Sequence, residues 1–224
     1  MYREIQTTLD GSCTVAIPDL HVTYHSTQGA LQESLHIYIE TGLNCALSTN
    51  EKDPIYVFEM GFGTGLNALL TLMKATHLKR KIYYYTVERY PLTMEEVNCL
   101  HFDSLLNTDN FTLLLHQAEW EKEVQINEYF TIYKSCQSIL TAQLYKQFDV
   151  IYFDAFAPSV QPELWSVEVF AKMYAHLNQN GVLVTYSSKG DVRRAMKAAG
   201  FNVEKLAGPK GKAEIVRARR IDNG

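Results

Sequence analysis

From residue 55 onward, short apolar runs alternate with segments in which apolar residues recur at helical spacing. The first such pair is IYVFEM, a continuous apolar run, followed by LNALLTLMKATH, which suits one buried helix face. Parallel strands need a long crossover connection, and a helix is the usual one. The alternation therefore predicts an α/β fold built on a doubly wound, mainly parallel sheet.

The later segments continue this alternation. Pro91 is expected at the first position of one helix and Gly200 just after the end of another. The stretch 111–133 is expected to add extra strands beside the sheet, as an insertion or a hairpin. The remaining predicted strands are KIYYYTVE, FDVIYFDAF, GVLVTYSS and FNVEKL, and the remaining predicted helices are PLTMEEVNCLHF, PELWSVEVFAKMYAHL and DVRRAMKAAG.

The first fifty residues follow a different pattern. Apolar and polar residues alternate around Asp10-Gly11, which predicts a β-hairpin with a primed turn. A helix capped by Ser26 or Thr27 and closed by Gly42 is expected next. We therefore expect residues 1–50 to form a hairpin and helix extension packed on a main domain, 51–224; a chain of 224 residues, 46% of them hydrophobic, can bury one sizeable core.

Composition and charge argue against several classes of protein. The four cysteines are far apart and form no C-x-x-C pair, so neither a metal site nor a disulfide framework is expected. The N-terminus lacks a signal peptide, and no apolar run approaches the roughly 18 residues of a membrane span, so we expect a cytoplasmic protein. The net charge is −4, but residues 189–224 carry ten basic and four acidic side chains. This basic segment is either a solvated face or a surface for an anionic partner.

The loop between the first strand and helix of the main domain has the sequence GFGTG. In doubly wound sheets, ligands bind outside the carboxyl ends of the strands, where glycines let the backbone approach them. A dinucleotide-binding loop needs a small residue at position 66, which is leucine, and a phosphate-binding loop needs G-K-[ST], which is absent. In this Rossmann-like arrangement, spacing alone therefore weakens both of these cofactor classes.

Acidic residues beside this loop favour a cationic cofactor. A carboxylate at Glu59 would repel a pyrophosphate, whereas S-adenosylmethionine (SAM) carries a sulfonium and an ammonium. The next strand ends at Glu88, 23 residues after Gly65, the usual offset for a carboxylate that accepts the ribose hydroxyls. Asp154 ends a later strand, where it either meets a substrate amine or the cofactor's methionine part, or caps a turn.

Four segments, GFGTGLN, VERYPLT, FDAFAPSVQPELW and GFNVEKLAGPKGKAEIVRA, resemble the methyltransferase domain of the bifunctional tRNA wobble-uridine enzyme. The N-terminal segment from TTLDGSCTVAIPDL to YIETGL extends the likeness to the stand-alone, MnmD type. The resemblance implies a class I SAM-dependent methyltransferase that methylates the aminomethyl nitrogen of 5-aminomethyl-2-thiouridine at position 34 of tRNA.

The resemblance also implies roles for individual residues. Asp154 would be the catalytic residue beside the reacting amine, as an aligner or temporary proton acceptor. The implied cofactor-binding residues are Glu59, Gly61, Phe62, Gly63, Thr64, Gly65, Asn67, Glu88, Arg89, Gln137, Ser138 and Asp154. The implied substrate-binding residues are Phe156, Pro158, Lys189, Arg193, Lys210 and Lys212, with Phe62 and Trp165 as further aromatic surfaces and Tyr24, His25, Tyr186 and Ser187 as pocket walls.

The chain departs from the family pattern at two places, and the sequence is also consistent with three different functions. Many relatives carry Gly-Asp where this chain has Gln137 and Ser138, which leaves the adenine contact open, and Ala213 replaces a basic residue of the closing motif. An aminopropyltransferase of the spermidine synthase type would share the sheet and an aspartate after a DVI strand. A methyltransferase for another small amine would need the same cofactor loop. A non-enzymatic SAM-binding or RNA-binding adaptor would bind without turnover.

Overall fold

The computed structural model describes residues 2–221. An eight-stranded sheet forms its centre, in the order β10-β11-β9-β8-β4-β5-β7-β6, and a three-stranded sheet precedes it in the order β1-β2-β3. The strands are β1 (Glu4–Thr7), β2 (Cys13–Ile17), β3 (Val22–Thr23), β4 (Ile55–Met60), β5 (Ile82–Val87), β6 (Glu123–Asn127), β7 (Phe130–Ser135), β8 (Phe148–Phe153), β9 (Leu177–Thr185), β10 (Asn202–Ala207) and β11 (Glu214–Arg219).

The helices connect these strands. The α-helices are α1 (Ala30–Ser34), α2 (Asn44–Thr49), α3 (Leu66–Leu78), α4 (Met94–Asn98), α5 (Phe102–Leu106), α6 (Phe111–Gln117), α7 (Val167–His176) and α8 (Gly190–Ala198). A π-helical segment, Leu35–Leu43, joins α1 to α2, and short 3₁₀ turns lie at Pro18–Leu20 and Pro162–Trp165.

The central strands are parallel, as the alternation predicts. Strand β4 pairs in parallel with β5 and with β8, and β8 pairs in parallel with β9. Every residue of β5 and of β8 is buried, because helices cover both faces of the sheet. The carboxyl ends of β4, β5, β7, β8 and β9 therefore lie along one edge, which is where the glycine loop begins.

The N-terminal hairpin is confirmed, but its turn is not primed. Thr8 N donates to Ser12 O at 2.8 Å, which leaves a three-residue loop of Leu9, Asp10 and Gly11. In that loop only Gly11 has a positive φ, +82°, whereas a primed two-residue turn requires a positive φ at Asp10. The Asp10 carboxylate instead accepts a hydrogen bond from Gln32 N, at the start of α1, at 3.0 Å.

The first helical segment begins and ends later than predicted. Its N-cap is Gly29 rather than Ser26 or Thr27, and it continues through Gly42 to Thr49. Gly42 is buried against the sheet, and a Cβ there would lie 2.8 Å from Val184 Cγ2. The glycine is therefore required by close packing of the helix on β9 and does not end the helix.

Two further predictions of local structure were wrong, and one strand was missed. Residues 111–117 form helix α6, because a short apolar run does not distinguish helix from strand; the hairpin of β6 and β7 follows it. Pro91 precedes α4, which is capped by a Thr93–Glu96 capping box. Strand β11 was not predicted, and it lies antiparallel between β10 and β9.

Three properties of the described residues concern membranes, metal ions and disulfide bonds. None of the helices between residues 2 and 221 has the length and apolarity needed to cross a lipid bilayer. Within the same residues, no group of three or more histidine, cysteine or acidic side chains is placed to hold a metal ion. The four cysteines are free thiols, of which Cys13 is buried.

Candidate cofactor and active site

A cavity of about 710 Å³ opens at the carboxyl ends of β4, β5 and β8. It is lined by the loop after β4, by the ends of the neighbouring strands and by residues of the N-terminal segment 17–33. This volume is typical of a site for a ligand of nucleoside size. The position also agrees with the general rule for ligand sites in doubly wound sheets.

The glycine loop takes a backbone conformation that side chains would oppose. Gly61 has a φ of +94°, and a Cβ at this position would lie 2.9 Å from the backbone oxygen of Asp154. Gly65, with a φ of +74°, is the N-cap of α3. The loop can therefore approach β8 closely and still begin the helix, because neither residue carries a Cβ.

Glu88 at the end of β5 is tied to this loop. Its Oε2 accepts Gly63 N at 3.0 Å, and its Oε1 accepts Tyr90 N at 2.7 Å. The carboxylate lines the cavity beside Arg89. Each of its oxygens keeps a second lone pair, which suits a ligand that presents neighbouring hydroxyls.

Asp154 follows β8 and lines the cavity. Asn67 Nδ2 donates to its Oδ2 at 2.9 Å, which fixes the carboxyl group against the first turn of α3. Burial raises the pKa of Asp154 to about 7, with the Glu33 charge adding to the rise, while Tyr38, Asn67 and Lys212 oppose it. This carboxyl group therefore changes its charge near neutral pH, as expected for a group that exchanges protons with an amine.

Glu59 lies beneath the loop and not in the cavity wall. The residue is 1% exposed, and its Oε2 has no hydrogen-bond partner in the described part of the chain. Burial, and next the charge of Asp154, raise the pKa of Glu59 well above its usual range. The sequence-based expectation of a carboxylate directly facing a cationic ligand therefore applies better to Asp154.

Two histidines hold the loop from outside the sheet. His25 Nε2 contacts Thr64 Oγ1 at 2.7 Å, and His116 Nε2 donates to Thr64 O at 2.9 Å. Burial lowers the pKa of each histidine to about 4, so both rings are neutral at pH 7. Lys134 supports the same region: its Nζ donates to Leu115 O at 2.8 Å, and burial lowers its pKa to about 8.

The end of the cavity beyond Asp154 is lined by aromatic and charged side chains. Tyr24 and Phe156 pack edge to face with centroids 5.2 Å apart. Lys212 Nζ pairs with Glu33 Oε1 at 2.7 Å and lies 4.4 Å from the centroid of the Tyr186 ring. These groups come from the N-terminal extension, from the ends of two strands and from the loop between β10 and β11.

The structure brings most of the predicted site residues to this cavity. Those that line it are Gly61, Phe62, Gly63, Thr64, Asn67, Glu88, Arg89, Gln137, Ser138, Asp154, Phe156 and Lys212, together with Tyr24, His25 and Tyr186. Those outside its lining are Glu59, Gly65, Pro158, Trp165, Ser187, Lys189, Arg193 and Lys210. Trp165 is buried and donates through Nε1 to Phe156 O at 2.8 Å, so it supports the wall from behind.

Sequence reasoning missed the contributions of Glu33, Tyr38 and His116. Glu33 lies in α1 and lines the cavity, Tyr38 lies in the π-helical segment beside Asp154, and His116 ends α6 against the loop. Each reaches the site from a segment that is distant in sequence. No local motif marks them, because their roles depend on how these helices pack.

The residues present fit SAM. Asn67 Oδ1 is buried without a hydrogen-bond partner among residues 2–221, so it offers an unused acceptor for an ammonium group beside Asp154. Gly61 and Gly63 line the cavity with backbone atoms alone, so a ligand can lie close to the loop there. Glu88 suits the ribose, and Ile139 and Leu140 provide an apolar wall near Ser138 that suits a purine.

Comparisons with known proteins agree with this geometry. Residues 80–221 match the family described as "S-adenosyl-L-methionine-dependent methyltransferase". The chain is 30% identical, over 96% of its length, to a "tRNA 5-methylaminomethyl-2-thiouridine biosynthesis bifunctional protein MnmC" of Aromatoleum aromaticum. It is 31% identical, over 88% of its length, to the protein of the same name from Magnetococcus marinus. The chain spans only about a third of these relatives, 35% and 31% of their lengths.

Two solved structures share the fold. MnmC2 from Aquifex aeolicus matches 97% of this chain and 70% of its own, with a TM-score of 0.78 and 23% identity. Spermidine synthase from Thermotoga maritima also matches 97% of this chain and 69% of its own, with a TM-score of 0.59 and 14% identity. At these identities the likeness concerns the fold alone.

Proposed function

The chain belongs to the family of S-adenosyl-L-methionine-dependent methyltransferases, and on that premise we propose that it methylates the aminomethyl nitrogen of 5-aminomethyl-2-thiouridine at the tRNA wobble position. The observation that carries the proposal is Asp154, held by Asn67 at 2.9 Å in the lining of the cavity. The name of the relatives supports the substrate, since it refers to the methylated form of this nucleoside. A tRNA substrate would also locate the enzyme in the cytoplasm.

The bound cofactor would supply an electrophilic methyl group. Asn67, Gly61 and Gly63 would hold its methionine end, and Glu88 would accept its ribose hydroxyls. Gln137 and Ser138 line the cavity beyond Glu88, where they would meet the adenine edge that an aspartate meets in many relatives. Methyl transfer requires in-line alignment more than acid or base strength, so the protein contributes mainly positioning.

Asp154 would align the acceptor amine and take up a proton from it. A carboxylate beside an amine orients its lone pair, but it also stabilises the protonated form, which cannot attack. A pKa near 7 moderates this conflict, because Asp154 is only partly ionised at neutral pH. Phe156 and Tyr24 would provide aromatic surfaces for the uracil ring, as in other enzymes that act on an extruded base.

Basic side chains outside the cavity would bind the tRNA backbone. Lys189 follows β9, and Lys210 lies in the loop before β11, so both belong to the same edge of the sheet as the cavity. Both are exposed, and neither forms an ion pair with the described residues. Arg193 is more constrained, since its Nε donates to Ser188 O at 3.2 Å.

An aminopropyltransferase is not favoured. The likeness to spermidine synthase is restricted to the fold, at 14% identity, whereas the likeness to the tRNA-modifying relatives extends along the sequence at about 30%. The intact Asp154 segment and cavity also argue against a binding adaptor without turnover.

The test is to incubate the protein with labelled SAM and tRNA from cells that lack this methylation, then to digest the tRNA and identify nucleosides by mass spectrometry. We expect labelled 5-methylaminomethyl-2-thiouridine. The matched control is tRNA without the aminomethyl group, which should remain unlabelled. Unlabelled tRNA, together with methylation of polyamines added with labelled SAM or their aminopropylation from added decarboxylated SAM, would contradict the proposal.

A further inference from the structure

Lys212 and Glu33 form an ion pair inside the cavity. Lys212 Nζ lies 2.7 Å from Glu33 Oε1, and both residues line the cavity together with Asp154. The pair joins α1 to the loop between β10 and β11, 179 residues apart in sequence. The sequence suggested that Lys212 contacts a phosphate, but in the structure it already has a carboxylate partner at the acceptor end of the cavity.

Lys212 is the more exposed member of this pair. Glu33 Oε2 accepts Ser26 N at 2.9 Å, so both of its oxygens are engaged by the protein. The Lys212 side chain is 27% exposed and that of Glu33 is 11% exposed. Lys212 also lies over the ring of Tyr186, whose hydroxyl donates to Ala155 O at 2.8 Å, next to Asp154.

The acceptor of the proposed reaction is a primary amine, and its protonation limits attack. Alkylamines titrate about where lysine does, near pH 10.4, so well under 1% of such an amine is neutral at pH 7. Resting on the proposed function, we infer that the Lys212 ammonium disfavours the protonated form of the acceptor amine and thereby increases the fraction able to attack. Lys212 is thus an electrostatic positioning residue and not a phosphate ligand.

The proton and electron balance of the step is simple. The nitrogen lone pair forms the new N–C bond while the C–S bond breaks, and the bonding electrons remain on sulfur. The product is a dialkylammonium, which releases its proton to Asp154 or to water. A cation near this nitrogen favours the neutral amine before transfer and loss of the proton afterwards. It opposes the positive charge that the nitrogen gains during transfer, but less than it opposes the full charge of the protonated amine.

The groups that face Lys212 include two carboxyl groups, and the positive charge of Lys212 offsets their effect on the amine. The facing groups are Glu33 from α1, Asp154 after β8 and Tyr186 after β9, and Tyr38 of the π-helical segment lies beside Asp154. Burial raises the pKa of each tyrosine well above its usual range, so neither is charged near neutral pH. Without Lys212, two carboxyl groups would remain beside the amine and would stabilise its ammonium form.

The test titrates the bound amine directly. The probe is an anticodon stem-loop with 5-aminomethyl-2-thiouridine, ¹³C-labelled at the aminomethyl carbon, bound to the enzyme with S-adenosylhomocysteine. We expect the pKa of the bound amine to be about one unit higher in Lys212→Met than in wild type, and unchanged in Lys212→Arg. The pKa obtained from the dependence of kcat on pH should rise by the same amount in Lys212→Met. At pH 7 the kcat of this variant should therefore be about tenfold lower than that of the wild type, and it should recover at higher pH.

Three further variants separate this role from others. Lys210→Met, on the same loop, should raise KM for tRNA without moving the amine titration. In an Asp154→Asn background, Lys212→Met should still raise the amine pKa, which separates the effect from titration of Asp154. Lys212→Met leaves Glu33 unpaired, so the comparison is repeated between Glu33→Gln and the Glu33→Gln, Lys212→Met double variant.

The outcomes are distinct. A rise in KM for tRNA in Lys212→Met, with no change in the amine titration, would overturn the inference and restore the phosphate role. If the wild-type enzyme fails to methylate aminomethyl tRNA at all, the proposed function fails. The titration of the bound stem-loop does not require turnover, so this second failure is recognised separately.

Discussion

Asp154 combines three properties of a reacting group: it lines the cavity, it is fixed by Asn67, and its pKa lies about 7 because of burial. Glu59 is also buried, but it does not reach the cavity, since it lies beneath the loop. Two carboxyl groups at neighbouring strand ends therefore differ in their access to the cavity. Access to the ligand decides which of them acts on it, and the sheet geometry decides access.

Replacement of Asp154 should affect turnover more than cofactor binding. For Asp154→Asn we expect kcat to fall about 100-fold, because proton uptake at the amine is lost, while the Kd for SAM changes only a few-fold. Calorimetric binding and single-turnover methylation would measure the two effects. The matched control is Asp191→Asn, because Asp191 is an exposed aspartate in α8. This variant should retain the wild-type kcat. Equal losses in binding and kcat would indicate a cofactor role.

His116 should make the fold sensitive to mild acid. Burial, together with the charge of Lys134, lowers the pKa of His116 to about 4. As the pH falls from 6.5 to 4, the unfolded chain takes up a proton that the folded state refuses, so stability is lost in this window. In His116→Gln the loss of unfolding free energy between pH 7 and pH 5 should be about 2 kcal/mol smaller than in wild type.

Urea unfolding at the two pH values would measure this difference. His77→Gln is the matched control, because His77 is exposed in the last turn of α3. An identical pH dependence in wild type and His116→Gln would show that His116 becomes protonated in the folded protein.

At the scale of elements, the turn from β4 into α3 determines the shape of the site. Gly61 allows the loop to lie against the backbone of Asp154, and Gly65 begins the helix that carries Asn67. Thr64 between them is held by His25 from the N-terminal extension and by His116 from α6. The loop is thus fixed by three elements before any ligand binds, which reduces the entropy lost on binding.

A side chain at Gly61 should disrupt this turn. Gly61→Ala places a Cβ 2.9 Å from Asp154 O in a backbone conformation with φ +94°. We expect a loss of roughly 2 kcal/mol of unfolding free energy and at least tenfold weaker SAM binding. Gly11→Ala is the matched control: its φ is +82°, and a Cβ there meets nothing within 4 Å.

Denaturant unfolding and calorimetric titration of both variants would separate the effect of the positive φ from the effect of the Cβ contact with Asp154 O. Gly11→Ala should show the cost of the positive φ alone, with SAM affinity unchanged. If Gly61→Ala binds SAM as tightly as the wild type does, SAM binding does not depend on the close approach of the loop to β8.

At the scale of the whole molecule, the fold decides which basic residues of the last 36 remain free of ion pairs. Several basic residues of the last 36 are neutralised within the fold: Arg217 and Arg219 pair with Glu204, and Lys205 pairs with Glu214 at 2.6 Å. The cations left for an anionic partner include Lys189 and Lys210, at the edge of the sheet where the cavity opens.

Binding of tRNA should depend on salt through this edge. For the Lys189→Gln, Lys210→Gln double variant we expect the slope of log K against log salt concentration to become shallower by roughly 1.5. The matched control is Lys52→Gln with Lys81→Gln, which removes two lysines beside the amino ends of β4 and β5, at the opposite edge. Fluorescence anisotropy between roughly 50 and 200 mM salt would give both slopes. Equal slopes in the two double variants would place the tRNA elsewhere.

The doubly wound sheet, the glycine loop and the carboxylates at strand ends could all be predicted from the sequence. These features are local or periodic: β4, α3, β5 and β8 follow hydrophobic patterns, and Gly61, Glu88 and Asp154 lie where such strands end. The cofactor class was inferred from the loop spacing, from Glu88 and from the charge of Glu59, and of these Glu59 lies outside the cavity lining. The family likeness supplied the substrate expectation, which no local pattern contains.

Which side chains meet depends on the tertiary structure. Residues 111–117 became α6 because their packing, and not their apolar run, selects the helix, and β11 formed because β9 and β10 offered open edges. The Glu33–Lys212 pair joins residues 179 positions apart, and burial is the main cause of the shifted pKa values of Glu59 and His116. Such contacts depend on the assembled core, so one-dimensional patterns cannot specify them.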